Sequence, residues 1–169
     1  RLMPYTKDIP KPILLTFEGK SFLEINIEKL LKLGAKHIYV NYTYGYEHFS
    51  KIAQKYGETI SLTEELEPIG HGKTLSNLLP NIGDTDYIYT INGDTISYFD
   101  YFGFLNNAKS QNVDFQILTN NNLNIERNIL IDDENNVLGC KINDRNYYYT
   151  NRNTNLNFSN SLGEYVVKV

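Results

Sequence analysis

The sequence predicts an α/β fold, with a mostly parallel central sheet, helices on both faces, and a smaller antiparallel β region after residue 120. Three observations carry this expectation. Strand-like and helix-like segments alternate from Ile13 to about Asn120, the rhythm of successive βαβ units. Beyond Asn120 the helical segments cease, and short β-prone runs follow one another across polar turns. Finally, 169 residues with 41% hydrophobic and 21% charged content describe one soluble globular domain with enough chain to bury a core.

Taken in order, Ile13-Leu14-Leu15-Thr16-Phe17 is a nearly continuous apolar run ending at Gly19, as expected of a buried parallel strand. Ser21 and Glu24 have the spacing of a capping box. Phe22, Leu23, Ile27, Leu30 and Leu31 then repeat at helical intervals up to a stop at Gly34. Residues 37–41 read as a second strand and 46–56, closed by Gly57, as a second helix. A strand at 59–62, a helix at 73–79 ending near Pro80, and a strongly β-prone strand at 87–91 follow. A helix near 98–108 and a strand at 113–118 complete the alternation. Short strands are expected at 128–131, 137–142, 147–150 and 162–169, the first two separated by the polar turn Asp132-Asp133-Glu134-Asn135-Asn136.

Composition excludes several functions. A net charge of -4 with scattered basic residues argues against a nucleic-acid surface, which needs clustered Lys and Arg. No apolar run approaches the roughly 20 residues of a membrane helix. The single cysteine, Cys140, rules out an internal disulfide framework and a cysteine-based zinc site, and fits a reducing cytoplasm. The chain starts at Arg1 rather than Met and stops inside an expected strand, so truncation at both ends is the expectation.

Two segments carry the chemistry. Residues 1–12, Arg-Leu-Met-Pro-Tyr-Thr-Lys-Asp-Ile-Pro-Lys-Pro, hold prolines at 4, 10 and 12, which oppose a regular helix and predict a stiff extended path. Arg1 and Lys11 on such a path suit a polyphosphate, because Arg offers a bidentate fork and Lys a point charge. Asn92-Gly93-Asp94 follows the strand at 87–91, at its C-terminal end, where open α/β sheets place ligands. An exposed Asp94 there suits Mg²⁺, a hard cation that takes oxygen ligands. Gly72-Lys73-Thr74 imitates the end of a phosphate-binding P-loop, but the position that should hold its first glycine is Glu67.

These residues resemble the sugar-1-phosphate nucleotidyltransferases (NDP-sugar pyrophosphorylases), the mannose-1-phosphate guanylyltransferase and glucose-1-phosphate thymidylyltransferase kind. Arg1, Leu2, Pro4, Thr6, Pro10, Lys11 and Pro12 stand at that family's spacing. The likeness continues through Gly19-Lys20, Leu23-Glu24, 27–30, Gly34-Ala35, Glu67-Pro68-Ile69-Gly70 and Asn92-Gly93-Asp94. It covers residues 1–118 well and the remainder poorly. The resemblance implies a Rossmann-like, three-layer (GT-A-like) nucleotidyltransferase fold in a single domain over 1–169. Its nucleotide-binding part would be 1–118 and its sugar-binding β region 119–169.

What the resemblance implies about chemistry is specific. An NMP group would pass from an NTP to a sugar 1-phosphate, with Arg1 and Lys11 catalytic, Asp94 holding Mg²⁺, and nucleotide-sugar biosynthesis as the setting. Glu65, Gly70, Asn92 and Gly93 would bind the nucleotide, and Lys141, Asn160 and Gly163 the sugar phosphate. The family's Gly-rich loop would precede Arg1, and a second metal-binding Asp has no convincing counterpart among Asp132, Asp133 and Asp144. The expected partners are the two substrates, without nucleic acid or membrane, and a homo-oligomer is allowed. Two alternatives stay open: a cytidylyltransferase acting on a non-sugar phosphate such as choline phosphate, and an inactive nucleotide-sugar-binding homologue. A glycosyltransferase on the same fold is disfavoured, because those usually carry Asp-x-Asp and Asp94 is followed by Thr95-Ile96.

Overall fold

The computed structural model describes residues 2–67, 69–120, 129–142, 145–148 and 157–169. The first proline-rich stretch folds into turns rather than an extended path. The Thr6 N–H donates to Leu2 O at 3.2 Å and the Lys7 N–H to Pro4 O at 3.0 Å. One helical turn follows, α1 (Lys11–Leu14). Pro10 O accepts from the N–H groups of Ile13 and Leu14, both at 2.9 Å. Pro12 lies within this first turn, where the missing N–H is not needed and the fixed φ is already helical.

The strand expected at 13–17 is therefore not formed. A small hairpin takes its place, β1 (Thr16–Phe17) against β2 (Lys20–Ser21), antiparallel. Its turn residues Glu18 and Gly19 both have positive φ, 51° and 79°, as tight hairpin turns demand. A five-residue apolar run is compatible with either a strand or a buried turn of helix, and here the two prolines decide.

Helix α2 (Phe22–Lys32) carries the expected capping box. Ser21 Oγ accepts from the Glu24 N–H at 3.2 Å, and Glu24 Oε2 accepts from the Ser21 N–H at 3.0 Å. Its inward face, Leu23, Ile27 and Leu30, packs with Ile38 and Val40 of β3 (Ile38–Tyr42), Phe49 and Ile52 of α3 (Tyr46–Tyr56), and Ile60 of β4 (Ile60–Glu64). At about 1.5–3 kcal/mol for each large apolar side chain taken from water, this cluster is the main stabilising element of the first half. Strands β3 and β4 pair in parallel with Ile38 opposite Ile60 and Val40 opposite Leu62.

The chain continues through α4 (His71–Leu78), β5 (Tyr87–Ile91), α5 (Tyr101–Ser110) and β6 (Phe115–Asn120). Asp100 caps α5, its Oδ1 accepting from the Gly103 N–H at 2.8 Å. The later region is an antiparallel set: β7 (Ile129–Ile131), β8 (Val137–Ile142), β9 (Arg145–Tyr148) and β10 (Asn157–Lys168). Buried Asp132 closes the β7–β8 turn by accepting from the N–H groups of Glu134 (3.0 Å) and Asn136 (2.8 Å).

The α/β class is the one expected, with the antiparallel region after residue 120. The distribution of pairings departs from the expectation. Among the described strands the parallel pair is β3–β4, whereas β5 and β6 both pair antiparallel with β10. The first residues of β10 also pair with β7, so this 12-residue strand belongs to both halves of the sheet. Alternation of strand and helix reveals which segments are strands but not which returning strand enters between them.

Candidate active site

The site is assembled where the α1 turn meets the loop after β5. Gly93 has its Cα face against Pro12: a methyl group there would stand 3.5 Å from Pro12 Cβ and Cγ. That close approach sets Lys11, one residue earlier, beside Asp94, one residue later. Lys11 Nζ donates to Asp94 Oδ2 at 2.6 Å, and both groups are partly open to solvent. Pro10, on the other side of Lys11, packs so closely on Gly45 (φ 74°) that a side chain at 45 would sit 2.7 Å from its ring. The Tyr44 hydroxyl donates to Thr6 O at 2.7 Å. The lysine is thus held by a braced turn, as anticipated, although by turns and packing rather than by extension. Beside it lies a depression lined by Leu2, Met3, Thr6, Lys11, Leu15 and Tyr44.

The Asp94 turn is held from beneath. Asn26 of α2, 2% exposed, directs its side-chain N–H groups at Asn92 O (3.2 Å), Gly93 O (3.4 Å) and Thr95 O (3.0 Å). The Asn92 N–H donates to Gly163 O at 3.0 Å. Gly163 has φ 75°, and a Cβ at that position would overlap the Asn92 side-chain amide, so only glycine fits there. Gly163 therefore touches Asn92 directly, which ties the segment expected at the sugar phosphate to the one expected at the nucleotide.

Next to Gly163, Glu164 is fully buried. Its Oε1 meets Lys29 Nζ at 2.9 Å and accepts from the Ser97 hydroxyl, while Oε2 accepts from the Tyr89 hydroxyl at 2.6 Å. The Lys29 ammonium also lies over the Tyr101 ring, 4.2 Å from its centre. Burial pushes the Lys29 ammonium below its ordinary value, with the Glu164 carboxylate opposing that shift. Burial, then the bond to Glu164, pushes the Tyr89 phenol far above its ordinary range, so it remains a donor.

Glu65 follows β4, at the C-terminal end of the parallel pair. It accepts from Asn41 Nδ2 at 2.7 Å and from the Thr74 hydroxyl, which fastens the loop before α4. Gly70 is the N-cap of α4, with φ 84° and open space where a Cβ would be. Lys141 lies on β8, which the sheet order separates from β10 by β7, so strand pairing does not bring it alongside Gly163. Asn160 is opposite Asn120 in the β10–β6 register, and its side chain, like Arg1, Pro68 and Asp144, is outside the described residues. No site role was expected of Asn26, Lys29 or Glu164, although Lys29 lies in the 27–30 segment that carries the family likeness. A polar residue in a helix or strand is ordinarily placed on the wet face.

The donor set bears on a metal. Among the described residues no group of three or more His, Cys, Asp and Glu side chains converges. Asp94 contributes one partly exposed carboxylate, already paired with a cation. One carboxylate is enough for Mg²⁺, which keeps its waters and borrows phosphate oxygens, and too little for a self-contained cage. The residues fit a metal that is carried on a triphosphate.

Fold and site together define an α/β domain in which a turn carrying Asp94 after a strand end is faced by Lys11 on a proline-braced turn. The chain belongs to the nucleotidyl transferase family, whose model matches residues 1–126. A D-glycero-alpha-D-manno-heptose 1-phosphate guanylyltransferase of Campylobacter jejuni subsp. jejuni serotype O:2 is 34% identical over 102 residues, 59% of this chain and 44% of that protein. The chain thus spans less than half the length of that curated relative. The crystal structure of HddC from Yersinia pseudotuberculosis superposes with a TM-score of 0.72 at 23% identity, covering 99% of this chain and 71% of that one. HddC complexed with GMP-PN gives 0.67 at 24% identity with the same coverage. At these identities the two structures establish the fold.

Proposed function

We propose that the chain is the nucleotide-binding and catalytic part of an enzyme that transfers an NMP group from an NTP to a sugar 1-phosphate. The Lys11–Asp94 pair at 2.6 Å carries the reading: it sets a cation and a metal-binding carboxylate against one point at the end of β5. A phosphate oxygen of the sugar 1-phosphate attacks the α-phosphorus of the NTP in line. The bond from α-phosphorus to the bridging oxygen breaks, pyrophosphate leaves with the electron pair, and NDP-sugar is formed. Lys11 neutralises charge that grows on the phosphoryl oxygens, and the braced α1 turn presents it without reorganisation. Mg²⁺, held by Asp94, would supply further charge neutralisation when bound with the triphosphate. Arg1 would join Lys11 on the triphosphate, Glu65 and Gly70 would border the nucleobase, and Lys141, Asn160 and Gly163 the sugar phosphate.

The curated relative acts on a heptose 1-phosphate and is a guanylyltransferase, so GTP with a heptose 1-phosphate is the first substrate pair to test. The compartment we infer is the cytoplasm, supported by the single cysteine; no helix among the described residues is long and apolar enough to cross a membrane. The test is pyrophosphate release by the full-length protein over a matrix of nucleotides and phosphorylated acceptors. Turnover confined to sugar 1-phosphates supports the proposal. Turnover confined to a non-sugar phosphate, or nucleotide binding with no turnover across the matrix, overturns it.

A further inference from the structure

We propose that Asn26 is the positioning residue for the metal-binding carboxylate: it fixes Asp94 by gripping the backbone on both sides of it. The inference rests on the reading of Asp94 just given and assigns a role to a side chain that touches neither substrate. The side-chain N–H groups of Asn26 face the carbonyls of Asn92, Gly93 and Thr95 at 3.0–3.4 Å. They therefore bracket Asp94, which reaches out of the same turn toward Lys11.

Two features separate this arrangement from ordinary packing. The amide orientation is fixed by chemistry, because the reverse would point its oxygen at three carbonyl oxygens. And Asn26 Oδ1 is buried with no hydrogen-bond partner among the described residues, a costly condition that an apolar side chain of like size would avoid. A residue kept for stability alone has little reason to carry an orphaned oxygen at 2% exposure. One turn further along α2, Lys29 holds Glu164, which accepts from Ser97. The segment that presents Asp94 is thus anchored to one helix at both ends, and Asn26 is the anchor nearest the carboxylate.

The experiment is calorimetric titration of the full-length protein with GTP, once with MgCl₂ and once with EDTA. The quantity read is the ratio of the two dissociation constants, which isolates the contribution of the metal. In Asn26→Leu the ratio is expected to fall by at least about tenfold, a coupling of the usual size for groups in one network. It should approach the Asp94→Ala value, while affinity in EDTA stays within about twofold of wild type. If Asn26→Leu does not fold, Asn26→Ser removes the amide without adding apolar bulk and is read in the same way. Leu130→Ala, a truncation in β7 remote from the turn, should lower stability and leave the ratio as it is. A ratio preserved in the Asn26 variants, or lost equally in Leu130→Ala, overturns the positioning role alone. A wild-type protein whose GTP affinity ignores Mg²⁺ overturns the assignment of Asp94 and this inference with it.

Discussion

At the scale of single residues, the site depends on contacts with little room for substitution. Lys11→Ala and Asp94→Ala should each reduce pyrophosphate release by on the order of 10²–10³-fold, the usual cost of removing a preorganised charge-stabilising group; near-wild-type turnover in either would contradict the proposed site. Gly163→Ala forces a side chain into the Asn92 amide at φ 75°. It should cost about 1–3 kcal/mol in urea unfolding and lower turnover too, since Gly163 O holds the Asn92 N–H. Glu24 gives a pH signature. Burial alone would raise it, but the Lys55 ammonium at 2.5 Å and the Ser21 groups bring its carboxyl down to about 2. Because the folded value lies below the unfolded one, this stabilisation is complete above about pH 5 and is lost as pH falls toward 2. Glu24→Gln should flatten the fall in unfolding free energy across that window by about 1–2 kcal/mol, the exposed Lys55 screening the rest.

At the scale of elements, α2 does most of the connecting. One face builds the core with β3, α3 and β4, and Asn26 and Lys29 reach the β5 turn and β10. The buried pair Lys29–Glu164 should behave asymmetrically. Lys29→Met strands a fully buried carboxylate and should cost about 3–5 kcal/mol by urea unfolding, whereas Lys29→Met with Glu164→Leu should recover most of that loss. Equal losses in the single and double variants would contradict the account. Some of these elements were plain in the sequence: the Ser21/Glu24 cap, the α2 periodicity, and the β-prone run from Tyr87 to Ile91 that places Asp94 at a strand end. Others were not. Ile13 to Phe17 has the composition of a strand, but Pro10 and Pro12 favour a helical turn. Glu164 lies in a segment expected only to be a strand, and its burial follows from partners on α2, β5 and the loop at Ser97 that converge on it.

At the scale of the whole molecule, Lys11 and Asp94 were each legible in advance as candidate site residues, because they sit in short motifs whose chemistry is local, whereas their pairing is seen only in the fold. The support beneath them was not legible: Asn26 and Glu164 carry no local signature, and Gly163, expected at the sugar phosphate, gave no sign in the sequence of its contact with Asn92. Whole-molecule stability gives a further check. A ligand that binds only the native state adds RT ln(1 + [L]/Kd), about 2.7 kcal/mol at 100 times Kd. MgGTP at that excess should raise the melting temperature of wild type by several degrees, and that of Asp94→Ala by clearly less.

The long strand β10 has a consequence for how the molecule comes into being. The β5 turn exists as a segment early in synthesis, yet its closing contacts at Gly163 and Glu164 are supplied some seventy residues later. During translation the nascent chain can build the α2–β3–α3–β4 core while the future Asp94 turn lacks those contacts. Competence for catalysis should therefore arrive after compaction, as a slow step set by long-range strand insertion. In a refolding experiment, metal-dependent nucleotide binding should lag behind recovery of helical circular dichroism.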